Sequence, residues 1–203
     1  MTDHRSIVRT SLLGFCLLLG LPGCESTQFG PTREVRGDLE LLARRQPADV
    51  AVAPVRDQTG KDSVPRNLMR AAFEEALVDR MYSPLAAKYV DQNWMEASFR
   101  GTPLPDALLL VVIENYDPSR LYSSGQVEIG GEVVLFEGAD TTGAVLWSTT
   151  LREEVDLSEG RRGPPTPSAT LIPEAIRRFA ALAMSRLPER DPVAAQEPPS
   201  GAE

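Results

Sequence analysis

The pattern of apolar and polar positions divides the chain into unequal parts. The longest apolar run lies near the start, Leu12-Leu13-Gly14-Phe15-Cys16-Leu17-Leu18-Leu19-Gly20-Leu21, behind the basic residues Arg5 and Arg9. Its length suits the apolar region of a signal peptide and falls short of the ~20 residues that a spanning helix needs. From residue 24 to 47 no periodicity is sustained, except that Asp38 to Arg45, with Leu39, Leu41 and Leu42, predicts one short helix. Residues 24–47 are expected to form a tether; its leucines either ride free or pack onto the following domain as an extra turn. A flexible linker of that length reaches about 25–30 Å.

A domain is expected over residues 48–187. Val50-Ala51-Val52-Ala53-Pro54-Val55 is a short continuous apolar run, as in a strand covered on both faces, and a polar loop from Arg56 to Asp62 follows it. Leu68, Met69, Ala72, Phe73, Ala76, Leu77 and Met81 recur at threes and fours and predict a helix. It starts around Ser63 to Pro65, with Ser63 as cap, and carries Arg66, Arg70, Glu74 and Asp79 on its polar face. Tyr82 to Val90 is predicted as a strand that Pro84 confines to an edge or a strand start, and Asp91 as the cap of a short helix bearing Trp94, Met95 and Phe99.

Ala107 to Ile113 is seven apolar residues in succession and predicts the central strand. Asn115 to Ser124 is a polar connection. Gln126 to Ile129 alternates, Gly130-Gly131 predicts a bulge or bend, and Val133 to Phe136 resumes the strand. Asp140-Thr141-Thr142-Gly143 has turn chemistry and predicts a hairpin with Val145 to Leu151, in which Val145, Trp147, Thr149 and Leu151 share a face. Ser158 to Pro167, rich in Gly, Pro and Arg, is expected as a mobile loop. Pro173 opens a last helix with Ile176, Phe179, Ala180, Ala183 and Leu187 as its stripe, and Pro188 stops it. Residues 188–203 are expected to be a disordered tail. The order β-α-β-α-β-β-β-α predicts an α/β fold, a mixed sheet of about five strands packed with helices.

Inventory narrows the chemistry. The one histidine is His4, and the cysteines are Cys16 and Cys24. Cleavage ahead of Cys24 removes Asp3, Arg5 and Arg9 and leaves 19 basic against 28 acidic residues, a net charge of −9. Such a balance disfavours nucleic acid, which recruits clustered positive charge. A mature chain without histidine or free thiol lacks the groups for Ser-His-Asp, Cys-His and His/Cys zinc chemistry, so no metal and no cofactor is expected. Gly60-Lys61-Asp62-Ser63 fails as a phosphate loop, because Val55 stands where the first glycine belongs. The carboxylates left as candidates for acid–base work are Glu114, Asp117, Glu128, Glu132 and Glu137, which on alternating strands are more simply a solvated face. Trp94, Tyr116, Tyr122 and Trp147 are expected in core or rim rather than as a ligand platform.

Leu21-Pro22-Gly23-Cys24 resembles the bacterial lipoprotein signal, with Pro22 the departure from it; Cys16 lacks a small residue before it, since Phe15 stands there. The resemblance implies a signal peptide over residues 1–23, fatty acyl chains on Cys24 and, with Glu25 rather than Asp following, the periplasmic face of the outer membrane. Val50 to Gly60, a strand followed by Pro54, an acidic turn and Thr59-Gly60, resembles the opening of the TolB amino-terminal-like group. Asp140-Thr141-Thr142-Gly143-Ala144-Val145-Leu146-Trp147 is similar to that group's hairpin. The group includes the curli-secretion lipoprotein, the Pel-polysaccharide export lipoprotein and the lipoprotein B activator of a penicillin-binding protein. The likeness spans Asp49 to Leu187. It implies a non-enzymatic envelope lipoprotein, held to the membrane by lipid on Cys24, that docks an envelope protein partner. The alternative it implies is a subunit of a ring-forming periplasmic export complex, a homo-oligomer.

Overall fold

In the computed structural model residues 34–158 and 168–191 are described. The signal peptide, Cys24, most of the Ser158 to Pro167 loop and residues 192–203 lie outside them. The predicted central strand forms as β7 (Ala107–Asp117), longer by four residues than its apolar run. On one side it pairs in parallel with β2 (Asp49–Val52) and with β3 (Arg56–Asp57), two residues that the pattern assigns to a loop. On the other it pairs antiparallel with β8 (Gln126–Glu137), which pairs with β9 (Val145–Asp156). The sheet ends in two short strands, β1 (Glu34–Arg36) beside β9 and β4 (Ser83–Pro84) beside β2. Among the described residues seven strands in this order make the sheet mixed and the fold α/β.

Two irregularities set which side chains face which layer. Ile113 opposes Gly131 and Asn115 opposes Gly130, so the bulge falls on Glu114 of β7, not on the glycine pair. Gly131 instead permits close approach, because a Cβ there would collide with the Val112 carbonyl oxygen. In β9, Trp147 opposes Leu135 while Val145 opposes Phe136, leaving Leu146 as the extra residue. Leu146 and Trp147 are both buried in consequence, and Val145 departs from the predicted face and is exposed. The turn before it is as predicted: Asp140 Oδ1 accepts from the Thr142 amide (2.8 Å) and hydroxyl (2.6 Å), bonds that hold its carboxyl below the usual range.

One face of the sheet carries α2 (Arg66–Asp79) and α5 (Ser168–Met184), with the Phe73 and Phe179 rings edge to face at 6.3 Å. The short helices α1 (Leu39–Arg45) and α4 (Leu121–Ser124) bury Leu42 and Leu121 in the same core. Among the described residues the opposite face is covered by α3 (Ala87–Asn93) and the hairpin of β5 (Trp94–Met95) and β6 (Ser98–Phe99).

Several expectations are corrected. Of Tyr82 to Val90 only Ser83–Pro84 is strand: the Ser83 and Leu85 amides on either side of Pro84 donate to the Ala48 and Val50 carbonyls (both 2.9 Å), the Pro84 nitrogen faces away from β2, and Ala87 onward is α3. Asp91 lies inside that helix, and Trp94 and Phe99 belong to the hairpin beyond it. Ser63 caps nothing: Pro65 is the residue at the end of α2, and it makes no side-chain cap bond. Leu68 and Met81 leave the predicted stripe and are exposed, Met81 in the left-handed conformation after the helix has stopped. Helix α5 begins at Ser168, so Pro173 sits at its sixth residue, where its missing N–H costs one helix bond. Its stripe, Ile176 to Leu187, is buried as predicted.

The residues expected as a tether, 24–47, lie outside the described residues up to Arg33, and those from Glu34 on are not a free linker. From Glu34 on, the chain belongs to the domain: Val35 and Leu41 pack against the core, and Asp38 caps α1 through the Leu41 amide at 2.8 Å. The first residues assigned to the tail are also held. Tyr82 Oη donates to the Pro188 carbonyl (3.0 Å), with burial pushing the phenol up to about 12, and the Arg190 amide donates to the Arg80 carbonyl (3.0 Å). Among the described residues no helix is long and apolar enough to cross a membrane.

Phe73 is fully buried between α5 and the sheet. Phe73→Ala is therefore expected to cost about 3–5 kcal/mol, read as a lowered denaturation midpoint at unchanged slope. An unchanged midpoint would show that this face of α2 is not core.

Candidate functional site

The candidate carboxylates are spread along the sheet. Glu114 projects from the bulge and is exposed. Glu137 at the end of β8 pairs with Arg45 at 2.6 Å. Glu132 lies between Val112 and Thr150 in the register. Asp117, Glu128 and Glu154 stand in one line across β7, β8 and β9, interleaved with arginine: Arg120 binds Glu154 at 2.5 Å and Arg152 binds Glu128. Arg120 is held above its usual range, first by its hydrogen bond to Glu154. The Asp117 carboxyl, accepting from the Ser119 amide at 3.0 Å, is held low, the opposite of what a general acid requires. Among the described residues no three His, Cys, Asp or Glu side chains are grouped to hold a metal. This row is a solvated, charge-alternating face. Of the aromatics, Tyr116 and Trp147 are core, Trp94 packs half-buried with α3, and Tyr122 is exposed.

The two edges of the sheet differ more than its faces. At β4 the edge is blunted: the strand has two residues, one of them Pro84, and α2 and α3 are joined past it by Arg70. Arg70 is 6% exposed. It forms an ion pair with Asp91 of α3 and reaches the Ala87 carbonyl at 3.4 Å. Its Nε lies 3.4 Å from Glu74, an ion pair without hydrogen-bond alignment. Burial pushes the Glu74 carboxyl up, and the charge of Arg70 opposes that shift. Helical spacing places Arg70 on a polar face, and nothing in the pattern marks it as the bridge.

At the other edge β1 covers Ser148 to Thr150 only, and no described strand continues beside Leu151 to Val155. Next to this stretch, between β9 and α5, lies an open groove of about 440 Å³ with Val155, Ala181, Leu182, Arg178 and Ser185 in its walls. Arg178 fixes the helix to the strand by donating to the Asp156 carbonyl (3.0 Å) and to Glu174 (3.0 Å). A strand edge beside an apolar groove is the geometry to which an extended segment can add, the backbone giving affinity and the groove taking a side chain. The sequence pattern does not show it, because it depends on how α5 packs beside β9.

No family model matches the chain, and no curated protein matches it. The comparison with solved structures found distant likenesses. The PelC dodecamer from Paraburkholderia phytofirmans is 16% identical, with 77% of this chain and 99% of that chain covered and a TM-score of 0.45. Lipoprotein GNA1162 from Neisseria meningitidis is 16% identical, over 66% of this chain and 97% of that one, with a TM-score of 0.41. A DUF4136 family protein from Bacteroides thetaiotaomicron is 14% identical, over 76% and 95%, with a TM-score of 0.36. Likenesses this distant fix neither a ligand nor a partner for this chain.

Arg70→Ala leaves Glu74 partly buried beside α3 without its cation. The expected cost is about 2–3 kcal/mol, below that of a fully buried pair because Asp91 is half exposed. Thermal denaturation checks it, and a change below about 0.5 kcal/mol would show that the bridge does not hold the β4 edge.

Proposed function

We propose that this chain is a non-enzymatic, lipid-anchored protein of the cell envelope that acts as a docking module for an envelope partner, through the β9 edge and its groove. The observation that carries this is the asymmetry of the sheet: one edge is closed by Pro84 and the Arg70 bridge, the other is left beside an apolar groove. The cysteine motif at Leu21 to Cys24 supports the anchor, and the pairing of Glu128, Glu137 and Glu154 with arginines supports a surface that binds rather than reacts. Residues 25–33 separate Cys24 from Glu34, the first described residue of the domain. At ~3.3–3.6 Å per residue even a fully extended spacer keeps the domain within about 35 Å of its anchor. The partner is then met close to the membrane surface.

Two measurements in cells test this. A fatty-acid analogue should label the wild type and not Cys24→Ser, and label persisting in the variant would contradict the anchor. A photo-cross-linking residue at Arg152, on the β9 edge, should give adducts of higher mass, and one at Ser83, on the β4 edge, should give none. Adducts at neither position, or equally at both, would contradict the docking edge.

A further inference from the structure

Resting on the lipid anchor just proposed, we infer that one end of the sheet, where β2, β7 and β9 begin and β8 ends, is a membrane-contacting surface. It lies on the zwitterionic phospholipid headgroups of the bilayer that holds Cys24, with the strands upright on it.

The exposed apolar side chains carry the inference. Eight large ones are exposed among the described residues, and six of these stand at this end. Register defines the end: Val50 lies beside Ala107, Ala107 opposite Glu137 and Phe136 opposite Val145. Val145 is exposed, and so is Leu39, which follows Asp38, whose amide donates to the Val145 carbonyl (3.1 Å). Leu104, 63% exposed, stands just ahead of Asp106, whose amide donates to the Asp49 carbonyl (2.8 Å). Met95 pairs with Ser98, which bridges to Asp140 in the turn between β8 and β9. Val78 and Met81 lie at the end of α2, close to Ser83, whose amide donates to the Ala48 carbonyl (2.9 Å). The remaining two, Leu68 at the start of α2 and Tyr122 in α4, belong to the opposite end.

Single exposed apolar residues are ordinary on any surface, but gathering at one end is not. The six occupy strand starts, a helix end and loop tips spread from β9 to β4, four strand spacings or about 19 Å. A plane touches points so spread at once, whereas an extended peptide touches them only along a line. Arg186, next to the Ser185 carbonyl that Arg80 binds (2.6 Å), and Arg100 are exposed at the same end. Their stems add apolar contact while their heads reach the phosphates. Glu40, Asp79 and Glu96 are exposed there too, so the surface has no excess of positive charge, and its apolar attraction suits zwitterionic rather than anionic headgroups. Reach agrees. Glu34 opposes Thr150, five residues along β9 from Val145, or about 17 Å. The extended length of residues 25–33 exceeds this, so lipid on Cys24 and the apolar end can meet one bilayer.

Fluorescence tests the inference on the chain as lipidated in cells and reconstituted into phosphatidylcholine–phosphatidylethanolamine vesicles with nitroxide-labelled headgroups. A thiol-reactive dye on Leu104→Cys should be quenched and one on Tyr122→Cys should not, to the same extent in low and high salt because the contact is apolar. Adding Met95→Asp should weaken the quenching at Leu104→Cys several-fold. All three positions are exposed, so the fold tolerates the changes. Equal quenching at both dye positions, or at neither, would overturn the inference. So would a dye at Leu104→Cys that enters an apolar environment without being quenched, the mark of a second copy or another protein as the cover. The unsubstituted chain takes up dye only where the Cys24 thiol is free, which would contradict the anchor rather than this surface.

Discussion

Burial of β7 on both faces is the constraint from which the rest follows. Ala107 to Ile113 are apolar without interruption and almost wholly removed from water, odd positions into the core under α2 and α5, even ones into the cluster under α3. A strand of this kind cannot stand at an edge or in a one-layered sheet, since each of its larger side chains left exposed would forfeit about 1.5–3 kcal/mol. It therefore needs neighbours on both sides and cover on both faces. The helical layer of α2 and α5 spans one face, while α3 and the β5–β6 hairpin pack over β2, β7 and the Phe136 end of β8 on the other. Further along the same face β8 and β9 carry Glu128, Arg152, Glu154 and Thr150, exposed or half-buried among the described residues.

The parts legible in the sequence were those whose pattern is local. Val50 to Val55, Phe73 to Leu77, Ala107 to Ile113 and Ile176 to Leu187 announce themselves by continuous or periodic apolar residues, and the Asp140 turn by its own side-chain bonds. What stayed hidden depends on partners far along the chain. Arg56-Asp57 is a strand only because Val112 and Ile113 lie alongside it. Val145 turns outward only because Leu146 is an extra residue against β8. Arg70 is buried only because Asp91 comes to meet it from the other side of an edge. Glu34 to Arg36, polar and three residues long, carry no signal of their own and are strand by virtue of β9.

The candidate site was hidden for the same reason. An edge is a property of a sheet and not of a segment, and the charged residues that sequence analysis singled out turn out to mark the wetted face rather than the place where a segment can add. Closure of one edge by Pro84 and Arg70 while the other abuts an apolar groove gives the fold a direction. With β1 at that second edge, the N-terminal end of the described residues and the proposed docking surface are neighbours by topology.

All of this rests on β7 being the most securely buried element. Native-state hydrogen exchange at increasing denaturant ranks the elements directly. The β7 and β8 amides around Val111 and Val133 should be the last to exchange, with the free energy of global unfolding, while those of β4 and the β5–β6 hairpin open locally. Helices α2 and α5 retaining protection after β7 has lost it would contradict an architecture organised around that strand.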